Sequence, residues 1–236
     1  DRIDDLNGDG KVEAVIGAPR ENDNQFTPGE TAYRNGAVYI TQFNNDGSAD
    51  YTVKISNSYG NINTGGPLYL RDEDQFGMSV TDLGDVDGDG IRDLAVGAPG
   101  RRKPGDSKRV GAVHILFMNA DATVKSTNII TEGVGGLPTG SLPLTAQLKN
   151  STRYQGFFGF GSSVAGIGDW DGDGIPDLAV GNMTDDDNGS NRGSMWILFL
   201  DAAGNVKPGG ALEINDTHLV SANGGSNVLG LSLIHI

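Results

Sequence analysis

Three short segments of this chain set carboxylates at alternate positions of a glycine-broken loop. They read DLNGDGKVE from Asp5, DVDGDGIRD from Asp85 and DWDGDGIPD from Asp169. In such a loop, side-chain oxygens at positions 1, 3, 5 and 9 and the backbone carbonyl of position 7 can converge on one point. An all-oxygen, highly charged donor set suits calcium, a hard cation that takes six to eight oxygens at about 2.3–2.6 Å. In the second loop the donors are Asp85, Asp87, Asp89 and Asp93, with Ile91 giving its carbonyl. In the third they are Asp169, Asp171, Asp173 and Asp177, with Ile175. In the first they are Asp5, Asn7, Asp9 and Glu13, with Lys11. Asn7 lowers the charge of the first loop and Glu13 is one methylene longer than Asp, so it ranks as the weakest of about three calcium sites. Gly10, Gly90 and Gly174 at position 6 are expected at positive φ, where the loop turns sharply.

The alternatives are weaker. Magnesium demands stricter octahedral geometry and keeps more water. An EF-hand or dockerin loop needs an acidic residue at position 12; that position here is Ile16, Val96 or Val180, inside apolar runs. Thrombospondin-type calcium repeats are cysteine-rich, and this chain has no cysteine. A lone D-x-D-G segment would be an ordinary turn at a strand end; three with full donor spacing are not.

The elements that position these loops repeat with them. The loop recurs after 80 and then 84 residues, each time followed by an apolar run: VEAVIGAP, DLAVGAP and DLAVGNM. Phe76-Gly77 and Phe160-Gly161, each followed by x-Ser-Val, precede the second and third loops. Downstream stand Gly36-Ala-Val-Tyr-Ile, Gly111-Ala-Val-His-Ile and Gly193-Ser-Met-Trp-Ile, then a turn and a last strand such as YTVKIS or ALEIND. Short apolar runs bounded by turn residues read as strands, and no sustained 3.6-residue stripe argues for a helix. Each unit therefore offers four strands, too few to bury both faces alone; stacking them radially gives a β-propeller. Approximate units are 1–69, 70–154 and 155–222, with 223–236 beginning another, where Leu229-Gly230 stands in place of Phe-Gly. The first Phe-Gly is missing, so the chain reads as a fragment.

Phe-Gly, then D-x-[DN]-x-D-G-x-x-[DE], then Gly-Ala-Pro, in phase over almost the whole chain, resembles the FG-GAP repeat. That resemblance implies the all-β propeller of integrin alpha subunits and many bacterial secreted proteins, with seven four-stranded antiparallel blades in the full fold and about three here. It also implies that the loops between the GAP and GAVYI strands, opposite the calcium loops, form a face for a protein or glycan ligand. These loops carry Phe26 and Tyr33 in the first, Arg101, Arg102, Lys103, Lys108 and Arg109 in the second, and Asp185, Asp186 and Asp187 in the third.

Composition narrows the function further. Asp and Glu number 31 against 17 Lys and Arg, a net charge of −14, which excludes a phosphate-binding surface for nucleic acid. No apolar stretch is long enough to span a membrane. No G-x-S-x-G, Walker or H-E-x-x-H segment occurs, and His114 and His218 stand far apart. The expectation is a non-enzymatic, calcium-stabilised propeller segment of a secreted or cell-surface protein, used in adhesion or ligand binding. An accessory propeller of a secreted hydrolase or lyase is the alternative, as is a carbohydrate-binding propeller, for which Phe26, Tyr33 and Tyr154 are the aromatic candidates. Phe76 and Phe160 are expected in the core, Trp170 and Trp196 as packing residues, and Asn150, Asn182, Asn188 and Asn215 as sequons.

Overall fold

A computed structural model describes residues 2–3, 5–22, 35–44, 46–62, 70–71, 73–103, 109–142, 159–183 and 193–215. Phe26, Tyr33, Lys108, Asn150, Tyr154, Asp185 to Asp187, Asn188, His218 and Leu229-Gly230 lie outside them. The described residues form three four-stranded antiparallel sheets in chain order. The first blade is β1 (Arg2–Ile3), β2 (Glu13–Ala18), β3 (Ala37–Phe43) and β4 (Ala49–Ile55). The second is β5 (Ser79–Gly84), β6 (Asp93–Gly97), β7 (Val113–Met118) and β8 (Val124–Ile130). The third is β9 (Phe160–Gly168), β10 (Asp177–Asn182), β11 (Ser194–Leu200) and β12 (Val206–Ile214). This is the expected unit: a strand that ends in the aspartate loop, the GAP strand, the GAVYI strand and a last strand. Among the described residues no helix is long and apolar enough to cross a membrane.

The second blade explains why its strands read as unbroken apolar runs. Along β7, Val113, Ile115 and Phe117 face the third blade, where they join Leu178, Val180, Trp196 and Leu198. The intervening Leu116 and Met118 face the first blade and join Val15, Val38, Ile40 and Ile55. Successive strand residues point to opposite faces, so a strand covered on both sides needs apolar residues throughout. Each such side chain is worth roughly 1.5–3 kcal/mol when fully buried. In β2, among the described residues, only one face meets a neighbour: Val15 is buried and Ile16 is 50% exposed.

The Phe-Gly and Gly-Ala-Pro residues are where blades touch. Phe76 and Phe160 are fully buried, and each makes a parallel bridge to the preceding blade, at Gly36 and Gly111. Gly161 lies so close to Gly97 that a Cβ on Gly97 would collide with the Gly161 carbonyl oxygen; Gly17 and Gly77 repeat this contact between the first two blades. The Ser79 hydroxyl donates to the same Gly161 carbonyl at 2.9 Å. The motif thus marks a backbone-on-backbone seam in which a side chain has no room.

One expectation fails. Trp170 is not a packing residue among the described atoms; it is 62% exposed, whereas Leu6 and Val86 at the same loop position are 1% and 2% exposed. Leu6 and Val86 enter the cores that join their blades to a following one. Trp170 stands on the corresponding face of the third blade, where no described residue covers it. Trp196 is buried as expected.

Candidate metal centre

Each aspartate loop is built by its own carboxylates. Position 1 closes the turn: Asp85 accepts the backbone N–H groups of Gly88 (2.8 Å), Asp89 (3.1 Å) and Gly90 (2.9 Å). Asp169 does the same for Gly172, Asp173 and Gly174, and Asp5 for Gly8, Asp9 and Gly10. Gly10, Gly90 and Gly174 hold φ of 84°, 88° and 91°, the left-handed conformation expected from their position. Position 5 accepts the N–H of position 7: Lys11 to Asp9, Ile91 to Asp89 and Ile175 to Asp173. The Ile91 and Ile175 side chains meanwhile pack against the two inter-blade cores, which fixes the backbone at the proposed carbonyl donors.

Position 9 opens the GAP strand and is buried in all three blades: Glu13, Asp93 and Asp177 are at most 1% exposed. Asp93 accepts the N–H of Val86 at 2.9 Å and of Met118 at 3.0 Å. Asp177 accepts those of Trp170, at 2.8 Å, and Leu200, at 3.1 Å. The carboxylate therefore ties the start of the loop to the third strand of its blade. Burial pushes Asp93 up to about 7, helped by Asp87 and Asp89 and opposed by its two N–H donors.

Two of the loops bring three carboxylates together. One oxygen each of Asp85, Asp87 and Asp89 lie within 4.8 Å of one another, as do oxygens of Asp169, Asp171 and Asp177. Two oxygens that each lie roughly 2.4 Å from one calcium ion are at most about 4.8 Å apart, so both triplets fit that ion. Among the described residues the first loop has no such triplet. There the buried Gln42 amide donates to Asp9 at 2.9 Å and to Glu13 at 2.8 Å. The Lys11 backbone N–H and this amide hold Asp9 below the usual carboxylate range.

Sequence reasoning missed three cationic or amide partners. Lys125 Nζ lies 2.6 Å from both Asp87 and Asp89. Lys207 Nζ lies 2.8 Å from Asp171 and also contacts Asp173. The Lys125 ammonium holds Asp89 low, and Lys207 does so for Asp173. A signal for these lysines exists: each follows a valine at the start of the last strand, in TVK and NVK.

At the opposite end of the second blade, three cations of the basic loop pair with carboxylates of the blade itself. Arg101 pairs with Asp74, both buried; Arg109 pairs with Glu73; Lys103 pairs with Glu132 at 2.8 Å. Arg101 and Arg109 thus brace the entry to β5, and Lys103 braces the turn that follows β8. Among the sequons, Asn182 and Asn215 are buried, and the other two lie outside the described residues. An open hollow of about 400 Å³ lies between the second and third blades beside Asp87, Asn128 and Asn205; its lining holds no pair of titratable groups.

The FG-GAP repeat profile matches residues 3–41, 77–116 and 160–198. Those spans contain the three aspartate loops and the strands on either side. The chain is 32% identical to human integrin alpha-6 over 183 residues, which is 77% of this chain and 12% of that protein. It is 28% identical to Xenopus laevis integrin alpha-4 over 183 residues, 77% of this chain and 14% of that protein. It is 32% identical to Drosophila melanogaster integrin alpha-PS2 over 200 residues, 77% of this chain and 11% of that protein. The chain thus spans a small fraction of the length of these relatives.

Proposed function

This chain belongs to the FG-GAP repeat family, and from that premise we propose that it is a non-enzymatic, calcium-stabilised propeller segment of a secreted or cell-surface protein, serving adhesion or ligand binding. The observation that carries the calcium reading is the pair of carboxylate triplets, each at the same strand end of its blade. Asp85, Asp87, Asp89 and Asp93 with the Ile91 carbonyl would hold one ion. Asp169, Asp171, Asp173 and Asp177 with the Ile175 carbonyl would hold another. The first loop, with Asp5, Asn7, Asp9, Glu13 and the Lys11 carbonyl, would be the weakest site because the Gln42 amide already satisfies Asp9 and Glu13. A bound ion would supply structural charge, cancelling the repulsion among clustered carboxylates.

Loops of this type suit extracellular calcium, since modules there bind at about 10⁻⁴–10⁻³ M; that supports a secreted or surface location. The integrin alpha relatives support protein-ligand binding, and the proposal puts that contact on the face opposite the aspartate loops. The pairing of Arg101, Lys103 and Arg109 within the second blade withdraws those three cations from the proposed contact.

Thermal unfolding with about 10 mM calcium against excess chelator tests this. Mass action gives roughly 1.4–2.7 kcal/mol per site at ten to a hundred times the dissociation constant. Two sites then raise the midpoint by about 6–20 °C for a domain of this size. The Asp87→Ala, Asp171→Ala double variant is expected to lose that rise. A cooperative melt indifferent to calcium refutes the calcium reading.

A further inference from the structure

The last strands of the second and third blades carry a lysine to these loops. Equivalent strand pairs align Phe43 with Ala49, Met118 with Val124 and Leu200 with Val206. Asp50, Lys125 and Lys207 therefore occupy one structural position. In the second and third blades that position delivers an ammonium to loop positions 3 and 5. In the first blade the charges are exchanged: the loop supplies Lys11, and its Nζ lies 2.7 Å from Asp50. Among the described residues only the second and third blades thus bring a lysine to the loop carboxylates; in the first the Lys11 ammonium turns away to Asp50 and Gln42. Lys125 and Lys207 bind the same carboxylates that make up the triplets, Asp87 and Asp89 in one case and Asp171 in the other. Their side chains are 40% and 24% exposed, so each head can leave for water without stranding a buried charge.

We propose that Lys125 and Lys207 are tethered counter-cations that compete with a divalent ion for the second and third loops, setting their calcium affinity and holding the loops together when calcium is low. This rests on the calcium reading above. An ammonium offers three donors to two or three carboxylate oxygens, whereas calcium gathers six to eight oxygens and carries twice the charge. The lysine therefore yields to calcium, but at a cost in affinity. A propeller so equipped keeps its loops folded at low calcium and binds only at the high levels found outside cells.

The test uses the 236-residue chain and terbium, an oxygen-seeking lanthanide excited through Trp170, which lies inside the third loop. Calcium displacement of terbium emission gives the calcium affinity of that loop. Lys207→Met is expected to bind calcium about two- to thirty-fold more tightly than wild type, the range for releasing two partly exposed ion pairs. Lys207→Arg, which keeps the charge, is expected within about twofold of wild type. In chelator, Lys207→Met is expected to melt at a lower temperature than Lys207→Arg; Lys207→Gln replaces it should Lys207→Met not fold. Equal calcium affinities in Lys207→Met and wild type overturn the proposal and leave the calcium reading standing. No lanthanide or calcium binding by any variant overturns both. Equal melting of the Met and Arg variants in chelator refutes the neutralising role independently of calcium.

Discussion

His114 gives this fold a calculable sensitivity to acid. Its ring is fully buried in β7, edge-on to Phe76 at 5.3 Å between centroids. Among the described residues neither ring nitrogen has a hydrogen-bond partner. Burial, with the nearby Arg101 charge adding to it, depresses His114 from its ordinary 6.5 to about 3. The folded protein therefore keeps the ring neutral while the unfolded chain takes up a proton below about 6.5. Between these values the unfolded state binds more protons, so stability falls as pH falls. At pH 5 the wild type is expected to have lost about 2 kcal/mol on this account, from 1.36 kcal/mol for each pH unit below the unfolded value. His114→Phe removes the titration, and the equivalent positions in the other blades already carry Tyr39 and Trp196. Urea unfolding at pH 7.5 and pH 5, followed by tryptophan fluorescence, measures both proteins. The wild type should lose about 2 kcal/mol more than the variant over that interval. Equal losses would mean that His114 can take its proton in the folded state, through a partner or water that relieves its burial, and the reasoning would fall.

Two further outcomes follow from packing. Gly97→Ala places a methyl against the Gly161 carbonyl at the inter-blade seam; the expected loss is about 3 kcal/mol or more, read by chemical denaturation. Arg101→Met leaves the Asp74 carboxylate buried without its partner, although the Arg71 N–H still reaches it at 2.8 Å. The expected cost is about 3–5 kcal/mol, and most of it should return in the Asp74→Leu, Arg101→Met double variant, since an apolar pair replaces a buried ion pair at little loss. A single variant as stable as wild type would show that the pair carries no structural weight.

Much of the fold is legible because its contacts are short in sequence. Each aspartate loop closes through hydrogen bonds that span at most five residues between position 1 and the glycines, so residue types and spacing fix it locally. The blades are consecutive antiparallel strands, and their order follows from the repeat alone. The apolar run at β7 likewise announces burial on both faces. The sequence also marks Phe76 and Phe160 as core, since the same aromatic recurs at the same offset from the second and third loops.

What the repeat could not show is which distant groups come to the loops. Lys125 reaches Asp87 across 38 residues, Lys207 reaches Asp171 across 36, and Gln42 reaches Glu13 across 29. The local loop pattern is the same with or without them. The partners of Arg101 and Arg109, Asp74 and Glu73, lie upstream of β5 and come beside the basic run only on folding. Trp170 shares its loop position with buried Leu6 and Val86, yet it is exposed. Residue type and local spacing determined the loops, the strands and their order. Only the tertiary structure decided which face each blade buries and which charge meets which, because burial and ion pairing depend on neighbours that arrive from another part of the chain.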